Sequence, residues 1–330
     1  MTLLAPTLQA FFTDRLGRQQ QASPRTIGTY RDAFRLLLRY LADQRGIPPS
    51  KVRIEDLDAE VILAFLDHLE GDRSNSARTR NARLAAVRSL FRYASLQLPE
   101  HAALIQRVLA IPQKRYLKPD VPFLTHPEVE ALLAAPDRNT WEGRRDLAML
   151  TLAVQTGLRV SELVGLNCAD LTLGSGAYVR CRGKGRKERA TPITKDTQAV
   201  LKAWTRERAG GPDCPLFPAR NGQRLSRGAV ERRVAKYRPQ AEETRPTIRR
   251  KRLTPHVLRH TNAMDLLQQG IDPVVIALWL GHEDVRTTYS IYLHADMSIK
   301  ERSLATIRPA TSKPGRYRPP DPLLAFLDSL

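Results

Sequence analysis

Cysteine is scarce in this chain. The 330 residues hold three, Cys168, Cys181 and Cys214, with no CxxC pair and no spacing suited to a small cross-linked domain. That excludes a disulfide scaffold and fits a reducing, cytoplasmic setting, where the chain is expected to act. Long apolar runs are missing as well. The opening MTLLAPTLQAFFTDRLGRQQ has no basic start followed by a long apolar stretch, so neither a signal peptide nor a membrane span is expected. Acidic residues are the minority: 34 Asp plus Glu face 53 Lys plus Arg, a net +19. The excess is not confined to a tail. Residues 1–112 carry 16 basic and 11 acidic side chains and residues 113–330 carry 37 and 23, nets of +5 and +14. Such an excess favours a polyanionic partner, most simply nucleic acid, over a merely solvated basic surface.

The length leaves room for two domains, each with its own core. Residues 6–45 read as helix, turn, helix. Ser23 is placed to cap the second helix and Pro24 to occupy its first position. Ile27, Tyr30, Phe34, Leu37, Leu38 and Leu41 then recur at helical spacing. Residues 55–70 and 76–96 follow the same logic. The latter puts Leu84, Val87, Phe91 and Ala94 on one face and spreads Arg78, Arg80, Arg83, Arg88 and Arg92 around the rest. That basic helix either faces solvent or lies along a DNA groove. Residues 111–122 (IPQKRYLKPDVP) hold three prolines and no apolar period, which marks an interdomain linker.

Helical patterns return after the linker, in HPEVEALLAA and RRDLAMLTLAVQTG, with Gly157 as a stop before SELVGL. Residues 177–193 alternate around Gly183 and Gly185, so a β-hairpin is expected there with Lys184 on its turn. Helices are expected near 194–209, 226–238, 255–269, 273–280 and 284–292. The stretch 232–252 has nine Lys or Arg, two Glu and two prolines, and reads as a loop or broken helix. A Pro-rich basic tail from 306 ends in the short apolar LLAFLDSL, which docks either on its own domain or on a neighbour.

Several polar residues share one chemistry. They are Arg159 and Glu162 in TGLRVSEL, Lys184 in GKGRKER, His256 and Arg259 in HVLRH, His282 in LGHEDV, and Tyr292 in IYLH. Arginine's rigid, permanently charged fork matches two phosphate oxygens. A lysine near other cations can give up a proton. A tyrosine hydroxyl in an electropositive pocket can act as a nucleophile. Lys187 is an alternative to Lys184. His256 and His260 stand four apart, a spacing that lets two imidazoles face one metal. No third ligand lies near them and HEDVR is not HExxH, so no metal is expected, and His260 reads as a supporting or core histidine.

The ordered series TGLRVSEL, GKGRKER, HVLRH and LGHEDVRTT…IYLH resembles the tyrosine site-specific recombinases, the lambda-integrase-like and Xer-like family. The resemblance is close over about residues 120–300 and looser over the helical N-terminal half. It implies a mostly α protein. An all-helical, SAM-like core-binding domain (1–110) would join through the linker (111–122) to a mainly helical catalytic domain with a small β-hairpin (123–305), followed by the tail (306–330). It implies a C-shaped grip on double-stranded DNA and a homo-oligomer, a dimer on a site and a tetramer in synapsis, needing no cofactor. By the same resemblance Arg159 and Arg259 clamp the phosphate, and Lys184 is the general acid. His256 moves the nucleophile's proton, His282 bonds the phosphate, Glu162 buttresses the cluster, and Tyr292 forms the 3′-phosphotyrosine. The family commonly places its tyrosine nine residues after the second histidine. Here Tyr292 stands ten after His282, and Tyr289, seven after, is the fallback. DNA contacts are expected from Arg78, Arg80, Arg83, Arg186, Lys187, Arg249 and Arg250. A type IB topoisomerase and an inactive DNA-binding protein of the same fold are the competing readings.

Overall fold

In a computed structural model, residues 2–117, 121–183, 188–208, 210–281 and 326–327 are described. The chain divides into two compact units, Met1–Pro119 and Asp120–Leu330. The fold is mostly helical, with twelve α-helices and one small sheet among the described residues.

The first unit is all helical. Helix α1 (Leu4–Ala10) runs on into a wider π-type segment (Phe11–Gln19), and the chain then breaks at Gln20. Helix α2 (Pro24–Arg45) starts as its sequence directs: the Ser23 hydroxyl accepts the Thr26 N–H and Pro24 takes the first position. It stops at Gly46, whose φ of 64° is left-handed and costs a glycine little. Helices α3 (Ala59–Gly71) and α4 (Ala77–Ala94) are capped by Asp58 and Ser76. The face of α4 read from the sequence, Leu84, Val87, Phe91 and Ala94, is buried. It meets Phe34, Leu37 and Leu41 of α2 and Phe65 and Leu66 of α3 in one core. Helix α5 (Ala102–Ala110) was not anticipated; with only Ile105 and Val108 buried, it is too short to show a repeating pattern. The stretch after it is tied back at its start. Asn81 exchanges two hydrogen bonds with the Lys114 backbone (2.8 and 3.0 Å), Lys114 pairs with Glu70 (2.9 Å), and Arg88 donates to the Ile111 carbonyl.

The second unit opens with α6 (His126–Ala134), α7 (Trp141–Thr156) and the short α8 (Val160–Gly165). An antiparallel sheet follows in the order β1 (Leu171–Thr172), β2 (Tyr178–Arg182), β3 (Glu188–Pro192). Val179 and Cys181 point inward from β2, and the register sets Cys181 opposite Arg189. Four helices complete the unit: α9 (Lys195–Arg208), α10 (Arg227–Thr244), α11 (Pro255–Gln268) and α12 (Pro273–Leu280). The core gathers around α7 and α9. The rings of Trp141 and Trp204 meet edge to face at 5.2 Å, and the Trp204 indole donates to the Leu216 carbonyl at 2.8 Å.

One expectation needs correcting. The basic stretch from 232 is not a loop, because α10 continues past Pro239 to Thr244. Proline removes one backbone donor and crowds the preceding turn. Burial of Tyr237 and Ala241 outweighs that cost, and the Tyr237 hydroxyl donates to the buried Asp146 at 2.7 Å. Asp146 is also paired with Arg145 and Arg233. A short 3-10 turn, Pro246–Arg250, follows. Beyond it Lys251 pairs with Glu128, which also accepts the Thr247 hydroxyl. Among the described residues no helix is long and apolar enough to cross a membrane. The expected helix 284–292 and, apart from residues 326–327, the tail 306–330 lie outside the described residues.

Phe65 is fully buried in the core of the first unit. Phe65→Ala is expected to cost about 3–5 kcal/mol, measured as a fall in the urea midpoint of that unit's transition.

Candidate active site

Glu162 is the centre of the site, and α8 places it there. Arg159 caps this helix with its extended backbone, and the Glu162 carboxylate reaches back to the Arg159 amide, Oε2 accepting at 2.8 Å. This is one half of a capping box, the carboxylate at the third helical position taking the cap residue's amide; arginine has no acceptor to make the other half. The same carboxylate accepts from three further N–H groups. Arg159 Nη1 donates to Oε1 at 2.9 Å; Arg189 donates from Nη1 to Oε1 at 3.0 Å and from Nη2 to Oε2 at 2.8 Å. Each oxygen therefore accepts twice, which uses a carboxylate's full capacity. The side chain is 3% exposed. Burial opposes its ionisation, yet the hydrogen bonds and charge of Arg189, then the bonds from Arg159, hold the carboxyl below the usual carboxylate range.

The C-terminus of α12 supplies the second half. Its last carbonyls have no partner within the helix. Arg189 Nε donates to the Trp279 carbonyl (3.2 Å), Arg259 Nη2 to the Leu280 carbonyl (2.8 Å) and Arg159 Nη2 to the Gly281 carbonyl (2.9 Å). Three arginines from three elements thus hold three consecutive carbonyls at the negative end of a helix dipole. Arg259 Nη1 also donates to the Gly157 carbonyl, past the end of α7, at 2.7 Å. Both helices end in left-handed glycines, at φ 61° for Gly157 and 64° for Gly281. Neither position has room for a methyl group. At Gly157 a Cβ would lie 2.5 Å from Leu280 Cδ2, and at Gly281 it would lie 2.7 Å from Arg189 Nη1.

Arg259 is 6% exposed. Burial, then the charge of Arg159, pushes its guanidinium down to about 9, so it stays cationic at neutral pH. Among the described residues, Arg159 and Arg259 each use two of their five N–H donors. Their remaining donors make no hydrogen bond to a described residue, and the cluster of three arginines and one carboxylate keeps a net positive charge. It can therefore take up an oxyanion with its geometry already set, without reorganisation as charge develops. Burial pushes the neighbouring Cys181 thiol up to about 11, so it is protonated and is not a competing nucleophile.

Among the residues singled out from the sequence, Arg159, Glu162 and Arg259 come together in this way. His256 is exposed in the first turn of α11, three residues before Arg259 and on the same helix face. His260 is buried, with its ring edge-on to Phe123 at 6.2 Å. Lys184, His282, Tyr289 and Tyr292 lie outside the described residues, as do Arg186 and Lys187. Arg78, Arg249 and Arg250 are exposed, and Arg83 is half-buried, donating to the Thr29 carbonyl at 3.1 Å. Arg80 differs from the expectation. It is 6% exposed and paired with Glu70 at 3.3 Å, so its charge is spent inside the first unit. Arg189 was missed, because it looks like one more cation in a basic hairpin. The signal was the two-residue period: a strand pairing Arg189 with inward-facing Cys181 buries a guanidinium, which then needs a carboxylate.

Two family models match the chain. The phage integrase family covers residues 122–298, and the phage integrase N-terminal SAM-like domain covers residues 10–97. A putative integrase/recombinase, y4rC, of Sinorhizobium fredii strain NGR234 is 55% identical over 327 residues, 99% of this chain and 98% of that protein. Tyrosine recombinase XerD of Pseudomonas putida strain KT2440 is 33% identical over 290 residues, 86% of this chain and 91% of that protein. Among solved structures, XerH recombinase in a post-cleavage complex with a palindromic difH substrate shares the fold. Its TM-score is 0.70 at 24% identity, over 87% of this chain and 81% of that one.

The Glu162 carboxyl titrates lower in the folded chain than in the unfolded one. Its contribution to stability is therefore fully present above the unfolded value of about 4.5 and is lost as pH falls through the folded value. Glu162→Gln removes that contribution. Between about pH 5 and pH 3, urea midpoints of the variant are expected to fall less than those of the wild type.

Proposed function

The chain belongs to the phage integrase family of tyrosine recombinases, and on that premise we propose that it cuts and rejoins DNA strands at specific sites through a 3′-phosphotyrosine link, without metal or ATP. The observation that carries this reading is the arginine pair: Arg159 and Arg259, fixed by helix-end carbonyls and by Glu162, with donors left over. A phosphodiester needs donors on its two non-bridging oxygens, where charge grows in the transition state. In this reading the spare N–H groups of Arg159 and Arg259 take those oxygens, with a hydrogen bond from His282.

The Tyr292 hydroxyl attacks the phosphorus in line with the leaving 5′-oxygen, and His256 takes the proton from the tyrosine. Lys184 gives a proton to the departing oxygen, leaving a 5′-hydroxyl. A phosphodiester has been exchanged for a phosphotyrosyl ester, so little free energy is lost. A 5′-hydroxyl of a second strand reverses the same steps. Duplex DNA is the partner in this reading, and Arg78, Arg249 and Arg250, which are exposed, are its proposed backbone contacts. The XerH complex is on a palindromic substrate; a palindrome matches a two-fold pair of protomers, which supports a dimer on each site and a tetramer across two.

Nicked suicide duplexes cut from DNA flanking the gene test this reading. A protein–DNA adduct that survives denaturant is expected, lost in Tyr292→Phe and kept in Tyr289→Phe. No adduct on any flanking sequence would leave a DNA-binding protein without catalysis, and vigorous relaxation of plasmids lacking a site would point to a topoisomerase. Arg259→Ala is expected to slow adduct formation by about 10²–10³-fold, read in a single-turnover time course. Duplex affinity is expected to fall steeply as salt rises, because each phosphate contact releases counterions; a flat dependence would contradict it.

A further inference from the structure

Arg189 lies outside the set of residues to which the reaction above gives a role, yet it is the most heavily engaged arginine of the cluster. It supplies two of the four hydrogen bonds on Glu162 and one to the Trp279 carbonyl. Its side chain is 13% exposed. Its guanidinium lies so close over Gly281 that a methyl group there would come within 2.7 Å of Nη1. It stands on β3, the strand paired antiparallel with β2.

Arg159 is held by a carboxylate that Arg189 itself holds. Oε1 of Glu162 accepts from Arg159 Nη1 at 2.9 Å and from Arg189 Nη1 at 3.0 Å. Removing Arg189 would leave Glu162 buried with one cation instead of two. Arg159 would then have to satisfy the carboxylate alone, turning its fork inward and losing part of its charge to the pair. The Trp279 carbonyl would also lose its donor, loosening the helix end that Arg159 and Arg259 grip.

Resting on the recombinase reading, we infer that Arg189 is a positioning residue for strand cleavage: by saturating Glu162 and holding the end of α12, it keeps Arg159 and Arg259 aimed at the phosphate. It touches no substrate. Its loss should lower the rate of the chemical step while DNA affinity, set by many exposed phosphate contacts, is retained.

Among the described residues, the charged and titratable groups facing Glu162 are Arg159, Arg189, Arg259 and the thiol of Cys181. Without Arg189 the carboxyl should protonate at a higher pH, because burial then acts with less opposing charge. The acid limb of the rate profile should move up with it, a change that a merely structural role would not produce.

The test is single-turnover adduct formation on the captured suicide duplex with Arg189→Met and Arg189→Lys, alongside duplex affinity and thermal unfolding. Arg189→Met is expected to lose about 10²-fold in rate, to keep affinity within a few-fold, and to shift its acid limb upward. Arg189→Lys, which keeps the charge without the fork, is expected to recover part of the rate. If Arg189→Met fails to fold, Glu162→Gln/Arg189→Met replaces it, since no buried carboxylate is left unpaired. That double variant should be no slower than Glu162→Gln alone. An unchanged rate, or rate and affinity falling together, overturns the inference while the recombinase reading stands. A wild-type protein that forms no adduct overturns both.

Discussion

A buried carboxylate must be surrounded by donors, and Glu162 has four, from two arginines and a backbone amide. Around it the strand of Arg189, the helix start at Arg159 and the end of α12 meet. The arrangement is stable because each charge answers another. Two guanidiniums offset the desolvation of the carboxylate, and three helix-end carbonyls orient three guanidiniums. Breaking any one of these contacts leaves a buried polar group unmatched, which costs more than the contact's own net contribution. The glycines at 157 and 281 follow from this closeness, since any larger residue would push the helix ends off the arginines.

The cluster is suited to chemistry because it is rigid before any ligand arrives. Donors already oriented need not reorganise when negative charge develops on a phosphate, and a site that excludes water strengthens each of them. Arg259, more deeply buried than Arg159, carries a charge that its surroundings disfavour. An anion brought against it would offset that cost.

Much of this was legible in the sequence, and the reason is local. Ser23, Pro24 and Gly46 mark the limits of α2 because caps depend on neighbours a few residues away. Arg159 and Glu162 are three apart in one turn, so their pairing can be read along the chain; His256 and Arg259 repeat that spacing and share a helix face. What escaped depends on partners far off in sequence. Arg189 meets Glu162 across 27 residues and Trp279 across 90. Arg80 looked available for DNA until Glu70 was found beside it. The helix through Pro239 is held by burial of Tyr237 and Ala241 and by the bond from Tyr237 to Asp146, 91 residues away. Local rules gave Pro239 as a break, and long-range burial overrode them.

In the proposed reaction Arg259 acts by answering the charge of a scissile phosphate. The most direct test is cleavage of a suicide duplex whose scissile linkage is a neutral methylphosphonate. Arg259→Ala, slow on the natural linkage, should approach wild-type rates on the uncharged one, because no anion is left to stabilise in the ground state and less charge develops on the way to the transition state. If the variant is as impaired on the neutral linkage as on the charged one, Arg259 does something other than charge compensation and the account is wrong.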